Sequence, residues 1–288
     1  MEKIAINTWA FDPRLTLYER FKVSESHGIK TLEVNFEENV QHPMLTWSTN
    51  STDLQETKRF LSGENYSISS ICTELFWTYN LASADSSEKN KAMSMAKKMI
   101  DFAYFLNADS ILIVPGIIKD KEKREGNYAE LLKVCRSSAL QSIHELAIYA
   151  KESGIILGLE NVFFNNFLID AIDMKEFISD LNAPNVKVHF DVGNAQINDS
   201  VEDWILILKD LIYAIHVKDT IMFRNSFVQF CPPLYGDVNW EVVFSALKTI
   251  KFNRYLIGEQ SFAAIGNEEK LIYLISALKI INNHNGRG

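Results

Sequence analysis

The chain has 288 residues, 47% of them hydrophobic, which is enough to bury a large core within one folded unit. Its formal net charge of −8 argues against nucleic-acid binding, because a nucleic-acid surface normally requires a basic protein face. It contains no long apolar run and its N-terminus lacks the build of a signal peptide, so we expect no membrane insertion and a cytoplasmic location.

Short apolar runs rich in β-branched residues alternate along the chain with longer segments of helical periodicity. The predicted strands cover residues 4–8, 30–35, 67–72, 110–114, 155–160, 186–191, 212–217 and 255–259. The predicted helices cover residues 16–27, 52–63, 88–106, 127–153, 173–181, 201–209, 239–249 and 268–282. Eight strands alternating with eight helices predict an α/β fold, a single (β/α)8 TIM barrel over residues 1–288. No linker rich in Pro, Gly or Ser marks a further domain.

A side chain of a type that binds metals stands at the end of each of the last four predicted strands. These side chains are Glu160, Asp191, His216 and Glu259. The carboxyl ends of barrel strands share one face, where the active sites of such barrels lie, so we expect the four to converge. Three carboxylates and one imidazole suit a divalent cation, with Mn²⁺ expected first and Co²⁺, Mg²⁺ or Zn²⁺ as alternatives. Any one of them alone is also typical of a barrel rim, but the set of four predicts a metal-dependent enzyme.

The residues around these four positions resemble those of a known superfamily. The stretches are Gly158-Leu159-Glu160-Asn161, His189-Phe190-Asp191-Val192-Gly193-Asn194, Ile215-His216-Val217-Lys218-Asp219-Thr220 and Gly258-Glu259. In order and spacing they are similar to the sugar phosphate isomerase/epimerase superfamily, the xylose isomerase-like barrels, over nearly the whole chain. The branch that they resemble most is that of L-ribulose-5-phosphate 3-epimerase and its ketose 3-epimerase relatives. Asn194 stands where free ketose 3-epimerases usually have His, which favours the sugar-phosphate branch.

The resemblance implies an epimerase or isomerase of a small ketose or ketose phosphate. Glu160, Asp191, His216 and Glu259 would bind the metal, and Glu160 and Glu259 would also be the acid/base pair. Removing a proton beside the sugar carbonyl gives an enediolate, whose charge a divalent cation stabilises as a Lewis acid. Related barrels often form dimers or tetramers, and the sequence leaves the oligomeric state open.

Two basic residues are candidates for contact with a substrate phosphate. Arg224 lies in the loop after His216, where the family places a basic residue near the substrate oxygens. Lys218 shares the pleat direction of His216 if the strand continues that far. A structural ion pair between Lys218 and a carboxylate is the alternative.

Four further residues are candidates for contact with the sugar itself. Glu74 would accept hydrogen bonds from hydroxyl groups while Trp77 stacks on the ring, or the two would simply pack at the barrel rim. Asn161 and Asn194 would position the substrate or the acid/base group, although Asn is also common in loops. His189 lies within a strand, and we expect it to support the site or to belong to the core.

Other functions fit parts of the pattern. An inosose dehydratase or a hydroxypyruvate isomerase-type enzyme would use the same four ligands for a different reaction. Apurinic endonucleases share the barrel but need additional His ligands at positions where this chain has Glu74, Pro115-Gly116 and Asn194. A non-catalytic sugar-binding barrel is disfavoured because all four ligand-type residues are intact.

Overall fold

The computed structural model describes residues 3–38, 45–119, 127–164, 166–223, 228–259 and 267–286. Within them, eight parallel strands form a closed ring in which the first strand pairs with both the second and the last. In chain order the strands are β1 (Ile4–Asn7), β2 (Thr31–Glu37), β3 (Leu45–Thr46), β4 (Ser67–Cys72), β5 (Ser110–Ile113), β6 (Ile156–Glu160), β7 (Val186–Asp191), β8 (Ile212–Val217), β9 (Asp219–Met222), β10 (Val228–Cys231) and β11 (Tyr255–Gly258). All but β3, β9 and β10 belong to the ring.

Helices follow the ring strands and surround them. In the described residues they are α1 (Leu17–Ser26), α2 (Ser51–Glu64), α3 (Ser86–Leu106), α4 (Tyr128–Lys151), α5 (Ala171–Leu181), α6 (Val192–Asn198), α7 (Val201–Leu208), α8 (Trp240–Thr249) and α9 (Asn267–Gly286). None of these helices combines the length and the apolar character needed to cross a bilayer.

Local sequence signals account for where several helices begin and end. The α2, α3 and α5 helices each end at an asparagine in the left-handed conformation, a role that Asn tolerates better than most residues. These residues are Asn65, Asn107 and Asn182. Short polar side chains accept hydrogen bonds from backbone amides of the first turns, as N-caps do. Examples are Asn50, Asp85, Asp170 and Ser200.

The predicted (β/α)8 barrel is confirmed, since each predicted strand and helix overlaps an observed one. Apart from short 3-10 turns, three features of the described residues were not predicted: the short β3, the short α6, and the antiparallel hairpin of β9 and β10. All three follow the carboxyl ends of ring strands. They therefore add structure to the same end of the barrel as the predicted site.

The apolar core lies mainly between the ring and the helices, with fully buried side chains such as Phe21, Phe177 and Trp204. The interior of the ring differs, because several of its side chains are polar and completely buried. Among these are Asn7, Glu33, Ser70 and His189. A buried polar group is costly unless it is hydrogen-bonded, so this cluster implies a specific network.

Candidate metal centre

The four predicted metal ligands lie together at the carboxyl ends of β6, β7, β8 and β11. His216 Nδ1 is at their centre, 3.6 Å from Glu259 Oε2, 3.8 Å from Asp191 Oδ2 and 4.0 Å from Glu160 Oε1. The site is well shielded, with Asp191 fully buried and Glu160 only 8% exposed. The strand positions that the sequence indicated therefore bring three carboxylates to one face of one imidazole.

The arrangement fits one divalent ion. Ligands that bind one ion at about 2.0–2.2 Å lie about 3–4 Å from one another, which is the spacing between His216 Nδ1 and the three carboxylates. No described residue gives His216 Nδ1 a hydrogen-bond partner although it is buried. Atoms of Glu160, Asp191 and His216 all lie within 4.8 Å of one another. The donor chemistry and the unpartnered nitrogen both suit a metal ion.

Glu33, in the middle of β2, holds the other side of the His216 ring. Its Oε2 accepts hydrogen bonds from His216 Nε2 at 2.6 Å and from Asn7 Nδ2 at 2.7 Å, and its Oε1 accepts one from Ser70 Oγ at 2.6 Å. Burial alone would raise the pKa of Glu33, but the neighbouring His216 and His189 rings and these hydrogen bonds lower it to about 2. An ionised carboxylate only accepts hydrogen bonds, so it fixes the proton on Nε2 and leaves Nδ1 facing the three carboxylates.

The charge on His216 depends on the same contacts. Burial lowers the pKa of its ring, but Glu33 and Glu259 oppose burial and raise the pKa to about 10. A divalent ion at Nδ1 would have to displace a proton from this nitrogen, since the imidazole binds metals in its neutral form. Binding of a metal here would therefore be linked to proton release at the centre.

His189 lies beside this pair, as a buried ring whose centroid is 4.2 Å from that of His216. Its Nε2 is 3.6 Å from Glu33 Oε1, and no described residue hydrogen-bonds either ring nitrogen. Burial and the nearby His216 lower the pKa of His189 to about 3, so its ring is neutral. Glu33, His189 and His216 form a second group whose atoms lie close enough together to hold a metal ion. The 2.6 Å hydrogen bond between Glu33 and His216 leaves no room for an ion there.

Lys218, just beyond β8, contacts two of the proposed ligands. Its Nζ lies 2.8 Å from Asp191 Oδ2 and 2.8 Å from Glu259 Oε2. Burial lowers the pKa of the ammonium, but the two carboxylates outweigh burial and raise it. The structural ion pair considered from the sequence is thus present, and the contact with substrate phosphate stays a prediction.

The two predicted acid/base carboxylates have different surroundings. Burial, Glu259 and Asp191 raise the pKa of Glu160 to about 8, and its Oε1 accepts a long hydrogen bond of 3.3 Å from Asn194 Nδ2. Burial also acts to raise the pKa of Glu259, but Lys218 and His216 reverse this and lower it. Glu160 is therefore the stronger base of the two.

Asp191 is held by its own backbone surroundings. Its Oδ1 caps α6 by accepting a hydrogen bond from the amide of Asn194 at 2.6 Å. The Asn161 side chain bonds both backbone groups of Asp191, donating to its carbonyl at 2.9 Å and accepting from its amide at 2.7 Å. Asn161 thus positions a proposed ligand through its backbone, and its predicted contact with substrate stays a prediction.

A cavity of about 360 Å³ opens above the carboxylates. Three of the proposed ligands line it, together with the polar Thr73, Glu74, Asn194 and Lys218, and the remaining described wall is apolar. The Trp77 and Phe164 rings stack in this wall with centroids 4.9 Å apart. An apolar wall with a few polar groups at one end is typical of small-molecule sites. The predicted candidate Arg224 lies outside the described residues.

The chain after Lys218 is anchored by Asp219, which is completely buried. Its carboxylate accepts hydrogen bonds from the Thr220 and Val238 amides at 2.8 Å and 3.1 Å and from Trp240 Nε1 at 2.8 Å. Gly236 packs so closely here that an added Cβ would lie 2.3 Å from Asp219 Oδ1. This anchor fixes the base of the β9–β10 hairpin beside the site.

Sequence reasoning did not identify Glu33 as the partner of His216. The one available signal was an acidic residue inside a predicted strand, at Thr31-Leu32-Glu33-Val34. Such a residue must be paired when it is buried, but the strand alone does not name its partner.

Comparison with known proteins agrees with the fold. The family model described as xylose isomerase-like TIM barrel matches residues 21–279. The chain belongs to the xylose isomerase-like TIM barrel family, which confirms the resemblance noted from its sequence.

Individual relatives are distant. The chain is 24% identical over 284 residues to a putative L-ribulose-5-phosphate 3-epimerase, SgbU, of Haemophilus influenzae, covering 97% of this chain and 95% of the relative. Among solved structures, D-psicose 3-epimerase with D-tagatose from Clostridium cellulolyticum H10 has a TM-score of 0.79 at 18% identity, covering 98% of this chain and 99% of that one. The IOLI protein with a zinc atom has a TM-score of 0.80 at 16% identity, covering 99% and 100%. The sugar epimerases among these relatives support placing the chain in the isomerase class of enzymes.

Proposed function

We propose that the protein is a divalent-metal-dependent epimerase or isomerase of a small ketose or ketose phosphate. The observation that carries the proposal is the convergence of Glu160, Asp191 and Glu259 on the unpartnered Nδ1 of His216, at 3.6–4.0 Å. These four side chains would hold one ion, with Mn²⁺ as the first candidate. A bound ion would supply Lewis-acid stabilisation of negative charge on the sugar oxygens.

Glu160 and Glu259 would move the proton. Near neutral pH the raised pKa of Glu160 keeps a proton on it, whereas the lowered pKa of Glu259 leaves that carboxylate ionised. Glu259 would therefore take a proton from the carbon next to the carbonyl, and Glu160 would return one from the opposite side in the same direction of reaction. Two carboxylates from separate strands, β6 and β11, suit inversion better than one base that returns the proton to the face it came from. The reverse reaction exchanges their roles.

The SgbU relative is named as a 3-epimerase, and this name favours epimerisation at carbon 3 within this proposal. The structural likeness to D-psicose 3-epimerase supports the same reaction type on an unphosphorylated sugar. In the described cavity wall, Lys218 is the one lysine or arginine, and two carboxylates engage it. Recognition of a phosphate would therefore depend chiefly on Arg224.

Deuterium uptake from D₂O tests the reaction. Chelator-stripped protein would receive Mn²⁺, Co²⁺, Mg²⁺ or Zn²⁺ and then a panel of ketoses and ketose phosphates. We expect metal-dependent exchange at a carbon beside the carbonyl, with the exchanged position separating 3-epimerisation from isomerisation. Stoichiometric metal binding without exchange on any of these sugars would refute the proposal.

Two variants test the assigned roles. Glu259→Gln should abolish epimerisation, and metal content must be measured alongside because Glu259 is also a proposed ligand. Survival of full activity with metal bound would contradict the two-carboxylate mechanism. Arg224→Gln should raise the KM for a ketose phosphate and leave that for the matching free ketose little changed if phosphate is recognised there.

A further inference from the structure

Lys218 and a divalent ion would use the same two oxygen atoms. Asp191 Oδ2 and Glu259 Oε2 face His216 Nδ1 at 3.8 Å and 3.6 Å, and the Lys218 ammonium lies 2.8 Å from each of them. An ammonium at hydrogen-bond distance is a full positive charge beside the proposed ion position. It therefore competes with any cation for the charge of these oxygens.

The position of this ammonium is built into the fold. Gly193, two residues after Asp191, lies against the lysine stem so closely that an added Cβ would be 2.6 Å from Lys218 Cγ. The ring of Phe230, in β10, covers the ammonium with its centroid 4.5 Å from Nζ. The Lys218 side chain is only 12% exposed. A glycine, an aromatic face and two carboxylates thus hold the charge in place.

Lys218 offsets part of the negative charge of the centre. Its ammonium contacts both Asp191 and Glu259, while the ionised Glu33 adds further negative charge nearby. With a neutral residue at 218, the centre would carry one more unit of negative charge in a buried place. A buried net charge is costly, and negative charge there would also oppose the charge that develops on a substrate oxygen.

We infer that Lys218 is a charge-balancing and positioning residue that shares Asp191 and Glu259 with the divalent ion and thereby limits the affinity for that ion. The inference rests on the proposed function. It gives two opposite consequences for a neutral replacement, because loss of the lysine removes repulsion of the metal and also removes compensation of the carboxylates. Metal binding should become tighter while the metal-free protein becomes less stable.

Binding of Mn²⁺ alone, measured by isothermal titration of chelator-stripped protein, tests the inference without substrate. We expect Lys218→Gln to bind Mn²⁺ at least about tenfold more tightly than the unchanged chain. In the presence of chelator its Tm should be lower by about 4 °C or more. Lys218→Arg keeps the charge and should stay closer to the unchanged chain in both measurements.

Lys97→Gln is the matched control, because it also removes one positive charge but breaks surface contacts away from the site, with Glu145 and with the Tyr149 ring. Both quantities should be unchanged in this variant. Lys218→Ala provides a second neutral replacement should the Gln variant fail to fold.

Three results overturn the inference. The inference is wrong if the neutral variants bind Mn²⁺ equally or more weakly than the unchanged chain. Because the unchanged chain still binds the metal in that case, the proposed function would stand. The inference is also wrong if Lys218→Gln in chelator has the same Tm as the unchanged chain, because the carboxylates would then need no compensating positive charge. Absence of binding by every variant, the unchanged chain included, would overturn both the inference and the proposed function.

Discussion

Replacing Glu33 by Gln tests the network behind the candidate metal centre. The change keeps the side-chain size and removes the charge that pairs with His216. The pKa of Glu33 is lowered from 4.5 to about 2, and each pKa unit corresponds to about 1.4 kcal/mol, so the ionised form contributes roughly 3 kcal/mol at neutral pH. We expect Glu33→Gln to lower the free energy of unfolding by about this amount at pH 6.

The pH dependence has a definite sign. Because the pKa of Glu33 is lower in the folded protein, its contribution is present above pH 4.5 and is lost as the pH falls towards 2. The difference between the unchanged chain and Glu33→Gln should therefore shrink to about half at pH 3. The pKa of His216 is raised to about 10, so the same pairing also weakens as the pH rises from 6.5 towards 10.

Urea unfolding of chelator-treated protein at pH 6 and pH 3 measures both effects. Glu145→Gln is the control, since it removes a carboxylate from an exposed surface pair and should cost less than about 1 kcal/mol. Metal affinity of Glu33→Gln should also fall about 10- to 100-fold, because the neutral amide is a weaker acceptor for His216 Nε2 than the ionised carboxylate and also brings donor hydrogens that can turn towards the ring. A cost below about 0.5 kcal/mol at pH 6 would refute the paired, ionised state of Glu33.

Three further predictions concern the cavity, the loop anchor and the metal. Trp77→Ala should raise the KM for the sugar about tenfold because it removes half of the stacked pair with Phe164, and an unchanged KM would place the substrate elsewhere. Gly236→Ala should lower the free energy of unfolding by about 2 kcal/mol, because the added Cβ would lie 2.3 Å from Asp219 Oδ1. The control Gly63→Ala, in α2, has open space around it and should not lower the free energy of unfolding. Similar urea midpoints for the two variants would contradict the proposed anchoring role of Asp219. Mn²⁺ added to chelator-stripped protein should raise its Tm in a concentration-dependent way, and a constant Tm would argue against a metal centre.

The barrel and the positions of its candidate metal ligands were predictable because both depend on local pattern. Runs such as 155–160 and 186–191 are short, apolar and β-branched, and they end at Glu160 and Asp191. In a parallel barrel the end of a strand has a known face, so the sequence position alone places the side chain.

Contacts between distant segments could not be predicted in this way. Glu33 and His216 are 183 positions apart and meet only because the ring closes. The sequence left two roles open for Lys218, contact with a substrate phosphate or an ion pair with a carboxylate. Its spacing from His216 predicts the side of the strand on which the side chain lies but not the position of the ammonium group. The Asp219 anchor was missed because it depends on the β9–β10 hairpin, which sequence periodicity did not predict. Its three hydrogen-bond donors belong to Thr220, Val238 and Trp240.

The pairing of β1 with β11 also determines when the site can exist during synthesis. A nascent chain that has not yet released Tyr255–Gly258 from the ribosome has no closing strand and no Glu259. Until that strand is released, Glu33 can pair with His216, but the barrel is not closed around the two side chains. Long-range closure of this kind slows folding and exposes unpaired strand edges, so this chain is expected to need protection from aggregation until its last strand is in place.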